Sequence, residues 1–204
     1  MFIPRQASLL ATILLIVAAR GFATPAPLMV CLGDSITAGY GVEPGRSYPD
    51  ALQQMLDDHG YFFRVENRGI NGATTRDAIA HLPEVLRLHP VLVVVAFGGG
   101  DAMDGMQLDE TRKNLNTILT TFEEAHVSVL LAGTSLPPGS DGNRKLALEQ
   151  MLRDVAASHQ AAVLPVLFKD ILHLPDAIQI DGIHPTAKGS EAIAETLMSA
   201  SDLS

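Results

Sequence analysis

A carboxylate and an imidazole three residues apart, with a glycine between them, can form a base and its orienting acid on one tight turn. Asp181-Gly182-Ile183-His184 has that pattern, and His184 is the one histidine of seven that stands both three residues after an aspartate and directly before a proline, Pro185. A carboxylate held at Nδ1 fixes the tautomer and leaves Nε2 to accept a proton. A plain surface-loop histidine reads the same way from sequence alone. Ser35 is the matching nucleophile candidate, because it follows an apolar run and a glycine in Gly33-Asp34-Ser35. A serine at a strand-to-helix turn can present its hydroxyl and its own N–H to one space, a nucleophile and an oxyanion donor together. It equally reads as a helix N-cap. The Gly-x-Ser-x-Gly elbow is absent, which excludes an ordinary α/β-hydrolase. Gly72 ends the polar stretch from Asn67, where a glycine can turn an N–H toward a ligand or simply make a turn.

Other chemistries find less support. Gly98-Gly99-Gly100 is followed by Asp101, with neither Gly-Lys-Ser/Thr nor Gly-x-Gly-x-x-Gly, so nucleotide binding is disfavoured. The other six histidines lack paired ligand spacing, and Asp101 and Asp104 lack the order of a calcium loop. Neither a metal nor an organic cofactor is implied.

The elements that must position these residues alternate. Continuous apolar runs at 28–32, 91–97, 127–132 and 161–167, with a weaker one at 62–66, read as strands, the stronger ones covered on both faces. Helical periods lie between them: Leu115, Ile118, Leu119 and Phe122; Leu148, Met151, Leu152 and Val155; Leu52, Met55 and Leu56. A further helix holds Ile79, Leu82, Val85 and Leu86, with Pro83 expected to kink or divide it, and a last one runs over 186–198. Five strands alternating with helices predict a three-layer α/β domain with a parallel sheet. In such sheets ligands bind beyond the carboxyl ends of the strands, and the polar motifs fall there.

Composition narrows the partners. The 204 residues carry 14 Lys and Arg against 23 Asp and Glu, a net charge of −9 with no basic run, which argues against nucleic acid. Cys31 is the single cysteine, so no intrachain disulfide forms, and its apolar surroundings read as a core thiol. Residues 1–23 read as a cleaved signal peptide: Arg5, an uncharged run from Ala7 to Ala19, then small residues at Gly21 and Ala23. Those 13 residues fall short of the roughly 20 that span a bilayer, so no stable membrane insertion is expected after cleavage. Loss of Arg5 and Arg20 takes the net charge from −9 to −11. A periplasmic or secreted domain over 24–204 is the expectation.

Taken together, the motifs resemble those of the GDSL, or SGNH, hydrolases, most closely the bacterial arylesterase, acyl-thioesterase and lysophospholipase group. The resemblance runs from Leu28 to Met198. Gly33-Asp34-Ser35-Ile36-Thr37-Ala38-Gly39-Tyr40-Gly41 is similar to the family's first block, 67–75 to its second, and Asp181-Gly182-Ile183-His184-Pro185 matches its last. The resemblance implies a flavodoxin-like sandwich and a serine esterase or thioesterase that takes small-molecule esters such as aryl esters, acyl thioesters or lysophospholipids through an acyl-enzyme. It implies Ser35 as nucleophile, His184 as base, Asp181 as orienting acid, and the N–H groups of Ser35 and Gly72 as oxyanion donors. The third block departs, with Gly100 at the position where the family's oxyanion asparagine stands. Asn71-Gly72-Ala73 also departs from the usual serine, glycine and acidic residue. Replacing Gly100 by asparagine is therefore expected to raise turnover with little change in stability. The rival readings are a carbohydrate O-acetyl esterase and an acyl- or glycan-binding pseudoenzyme.

Overall fold

The computed structural model describes residues 25–202 apart from 134, 135, 137, 138, 169, 170 and 172. The signal-peptide reading of residues 1–23 lies outside the described residues.

Five parallel strands form one sheet in the order β2-β1-β3-β4-β5. They are β1 Leu28–Gly33, β2 Arg64–Gly69, β3 Leu92–Phe97, β4 Ser128–Gly133 and β5 Ala162–Leu164. The helices are α1 Ser35–Ala38, α2 Tyr48–Asp58, α3 Thr75–Leu86, α4 Gly99–Met103, α5 Leu108–Glu124, α6 Gly142–Ser158 and α7 Ala187–Asp202.

Strand alternation explains the three layers. Val30, Leu32, Val93, Val95 and Leu131 pack with Leu82, Leu115, Phe122 and Leu152 of α3, α5 and α6. Met29, Cys31, Val94, Ala96 and Leu130 face the other way, onto Tyr48 and Leu52 of α2 and Ile193 and Leu197 of α7. Every residue of β1 and β3 is buried, and each such aliphatic side chain contributes about 1.5–3 kcal/mol on leaving water. Cys31 lies fully inside, and burial pushes its thiol up to about 12, despite the Tyr48 hydroxyl beside it.

Three boundaries differ from the apolar pattern. β2 begins at Arg64 rather than Phe62, because it is the polar edge strand and its pairing with β1 sets its ends. Its Glu66 pairs with Arg64 and Arg68, charges of the kind that keep an exposed edge from pairing further. β5 stops after Leu164, since Pro165 has no N–H to continue the ladder. α3 continues past Pro83 undivided, closed at its start by reciprocal Thr74–Asp77 hydrogen bonds. Pro83 is exposed and near the helix end, where only one i−4 bond is lost.

Candidate active site

β1 delivers the nucleophile candidate. The chain leaves the sheet at Gly33 and starts α1 at once, with Asp34 as its N-cap: the Asp34 carboxylate accepts from the Ile36 N–H at 3.0 Å. Ser35 is thus the first helical residue rather than the cap, and its N–H has no partner four residues back. Gly39, at φ +81°, closes α1 in the left-handed region, with its N–H on the Ser35 carbonyl at 3.1 Å.

The imidazole arrives from the loop before α7. Ile178 bridges Pro185, the Gln179 N–H donates to the His184 carbonyl at 2.8 Å, and Gly182 turns at φ +73°. Asp181 is fixed from its own turn, with Oδ1 accepting from the N–H groups of Ile183 at 2.9 Å and His184 at 3.0 Å. Its Oδ2 lies 2.7 Å from His184 Nδ1, and His184 Nε2 lies 2.9 Å from Ser35 Oγ. Partial burial works against the Asp181 charge, but the Ile183 N–H, the His184 ring and the His184 N–H outweigh it and hold the carboxyl at about 2. An ionised carboxylate only accepts, so Nδ1 carries the hydrogen and Nε2 of the neutral ring accepts from Ser35.

Tyr40 and Gln179 brace this arrangement, and neither was singled out by sequence reasoning for that part. The Tyr40 ring lies 4.6 Å from the His184 ring, tilted by 41°. Gln179 Nε2 donates to the carbonyls of Tyr40 at 2.7 Å and Pro185 at 2.8 Å, tying the nucleophile's loop to the histidine's. Asp34 is a third omission. Burial pushes its carboxyl up to about 6, against the opposing pull of the Ile36 N–H and the His184 charge. The rule that aspartate favours N-cap positions was the available signal.

Ser35, Gly72, Gly100 and His184 line one pocket of about 200 Å³, with Tyr40, Met103 and Ile183 forming its apolar side. Asp181 stands behind the histidine. Gly72 sits at φ +75° in a turn closed by the Ala73 N–H on the Ile70 carbonyl, with its own N–H unpaired among the described residues. Gly100 is placed differently. Its N–H is hydrogen-bonded to Asp34, and a Cβ added there would lie 2.5 Å from the Ala73 carbonyl oxygen. The expectation that asparagine fits at 100 with little change in stability is therefore corrected, because the backbone around Gly72 would have to move. A larger open hollow of about 680 Å³ along the outer face of α5 contains no nucleophile. Among the described residues no group of three or more His, Cys, Asp or Glu could hold a metal, and no helix is long and apolar enough to cross a membrane.

A hydrogen-bonded serine–histidine–aspartate line at the carboxyl ends of a parallel five-stranded sheet defines a serine hydrolase of the SGNH class. Residues 31–192 match the GDSL-like Lipase/Acylhydrolase family, and the chain belongs to it. It is 32% identical to esterase TesA of Pseudomonas aeruginosa over 173 residues, which are 84% of this chain and 86% of that one. It is 29% identical to thioesterase 1/protease 1/lysophospholipase L1 of Escherichia coli over 174 residues, 85% of this chain and 82% of that one. A crystal structure of TesA superposes with a TM-score of 0.80 at 30% identity, covering 85% of this chain and 97% of the other. The chain is an ester hydrolase of this family.

Proposed function

We propose that Ser35, His184 and Asp181 carry the hydrolysis of carboxylic esters and thioesters through an acyl-enzyme. The observation that supports it is the unbroken line Ser35 Oγ–His184 Nε2 at 2.9 Å and His184 Nδ1–Asp181 Oδ2 at 2.7 Å. Ser35 Oγ attacks the acyl carbonyl while Nε2 takes its proton, and the Asp181 carboxylate stabilises the resulting imidazolium. The N–H groups of Ser35 and Gly72 receive the developing oxyanion. His184 then gives the proton to the departing alcohol or thiol. Water, activated by the same nitrogen, releases the acid and regenerates Ser35.

Tyr40, Met103 and Ile183 favour an acyl group over a polar sugar in the pocket. Gly100 offers no side-chain donor, so the oxyanion is held by backbone alone. One lost donor costs about 10²–10³ in turnover in a comparable site, which slows the reaction and leaves the relay intact. The protein works outside the cytoplasm after removal of residues 1–23. A fluorophosphonate, which phosphonylates only an activated serine, tests the reading. The native chain is labelled at Ser35 and Ser35→Ala is not; an unlabelled, folded native chain would refute it.

A further inference from the structure

Gly72 has to present its N–H within about 3 Å of the oxyanion to be of use, yet its own turn is exposed at the pocket rim. What anchors that turn lies three residues on. Thr75, fully buried at the start of α3, donates its N–H to Asp101 Oδ2 at 3.1 Å and its hydroxyl to Asp101 Oδ1. Thr111 of α5 donates to the same Oδ1 at 3.2 Å, and Asn114 donates to the Thr75 hydroxyl at 3.0 Å. Asp101 belongs to α4, and one residue before it the Gly100 N–H is bonded to Asp34, the cap of the nucleophile's helix. A continuous set of buried bonds therefore runs from α1 to α4 to α3, linking the segment of Ser35 to that of Gly72. Gly100 completes it, because its missing side chain leaves room for the Ala73 carbonyl.

A buried carboxylate is costly, and well-packed apolar groups in its place often give equal or greater stability. Stability alone is a weak reason for Asp101 to be there. We propose that Asp101, acting through Thr75, is a positioning residue that sets the Gly72 N–H opposite Ser35. The inference rests on the hydrolase reading above and adds to it the element that aligns its oxyanion site. A network that served only the fold would change stability when cut and leave catalysis by the folded protein alone. A positioning network changes transition-state binding and spares the ground state, so the loss falls on kcat rather than KM.

The test compares Thr75→Val, Thr75→Ser and Asp101→Asn with the native chain on one p-nitrophenyl ester. It reads kcat, KM, the rate constant for fluorophosphonate labelling of Ser35, and melting temperature. Thr75→Val and Asp101→Asn are expected to lose about 10-fold to 100-fold in both kcat and labelling rate, part or most of one donor's worth, with KM within about threefold. Thr75→Ser keeps the hydroxyl and stays within about threefold of the native kcat. Folded Thr75→Val or Asp101→Asn with native kcat would overturn the proposal, as would an equal loss in Thr75→Ser. If one of the two disruptive variants fails to fold, the other decides. Native labelling beside unchanged variants condemns the positioning role alone, whereas an unlabelled native chain condemns the hydrolase reading and this one with it.

Discussion

Asp181 and Asp34 are two carboxylates one residue-shell apart in role, and their surroundings drive them in opposite directions. Asp181 is held at about 2, below the ordinary carboxylate value, so its contribution to folding is complete above about pH 4 and is lost as pH falls through about 2. It therefore remains ionised throughout any ordinary assay range. Asp181→Asn should lower kcat by up to about 10⁴, by presenting the imidazole in the wrong tautomer, and leave KM similar. A kcat within tenfold of native would remove Asp181 from the relay. Asp34 behaves conversely. Its value of about 6 lies above the unfolded one, so the contribution it makes is complete below about pH 4 and is lost as pH rises through about 6. The melting temperature of the native chain, measured relative to Asp34→Asn, should accordingly fall between pH 4 and pH 6. A difference that stays constant across that window would show that folding does not raise the Asp34 pKa.

The close packing of α4 against the loop before α3 governs what can be changed at Gly100. Gly100→Asn should destabilise the protein by about 1–3 kcal/mol, as overpacking does, because its Cβ meets backbone rather than a movable side chain. Turnover should not rise, since the displaced Ala73 carbonyl carries Gly72 with it. Thermal melts and kcat for the purified variant check both points, and a stable, faster enzyme would contradict them. This contact also marks the limit of what could be read in advance. β1, β3 and β4 were legible because each is an apolar run with a physical reason to be buried on both faces. Ser35, Gly72 and the Asp181–His184 turn could be named as candidates because their motifs are local, and the structure brings Ser35, His184 and Gly72 to one pocket. Gly100 was visible as a departure, but its neighbour across the pocket is 27 positions away and no periodicity announces it. Gln179, 139 positions from the Tyr40 carbonyl that it holds, was invisible for the same reason. β2 was misplaced because a polar edge strand is defined by its partner's register, which composition does not encode.

At the scale of the whole molecule, one sheet buried on both faces provides a rigid floor, and four separate stretches of chain meet at its carboxyl rim. The sheet's core leaves only loops and short helices to vary, which is where the departures at 71, 73 and 100 fall. Export completes this picture as a proposal: protein isolated from the periplasm or the medium should begin at Thr24, by N-terminal sequencing, and carry a net charge of −11 where the full chain has −9. Recovery of the intact N-terminus from the cytoplasm would contradict it. The central claim is that Ser35 becomes acylated, and it is tested most directly by mixing excess p-nitrophenyl ester with the protein, quenching in acid within the first turnover, and locating the acyl group by peptide mass spectrometry. The account predicts a burst of about one p-nitrophenol per protein and an acyl mass on the peptide holding Ser35, both lost in Ser35→Ala. An acyl mass on any other residue, or burst and turnover persisting in Ser35→Ala, would contradict it.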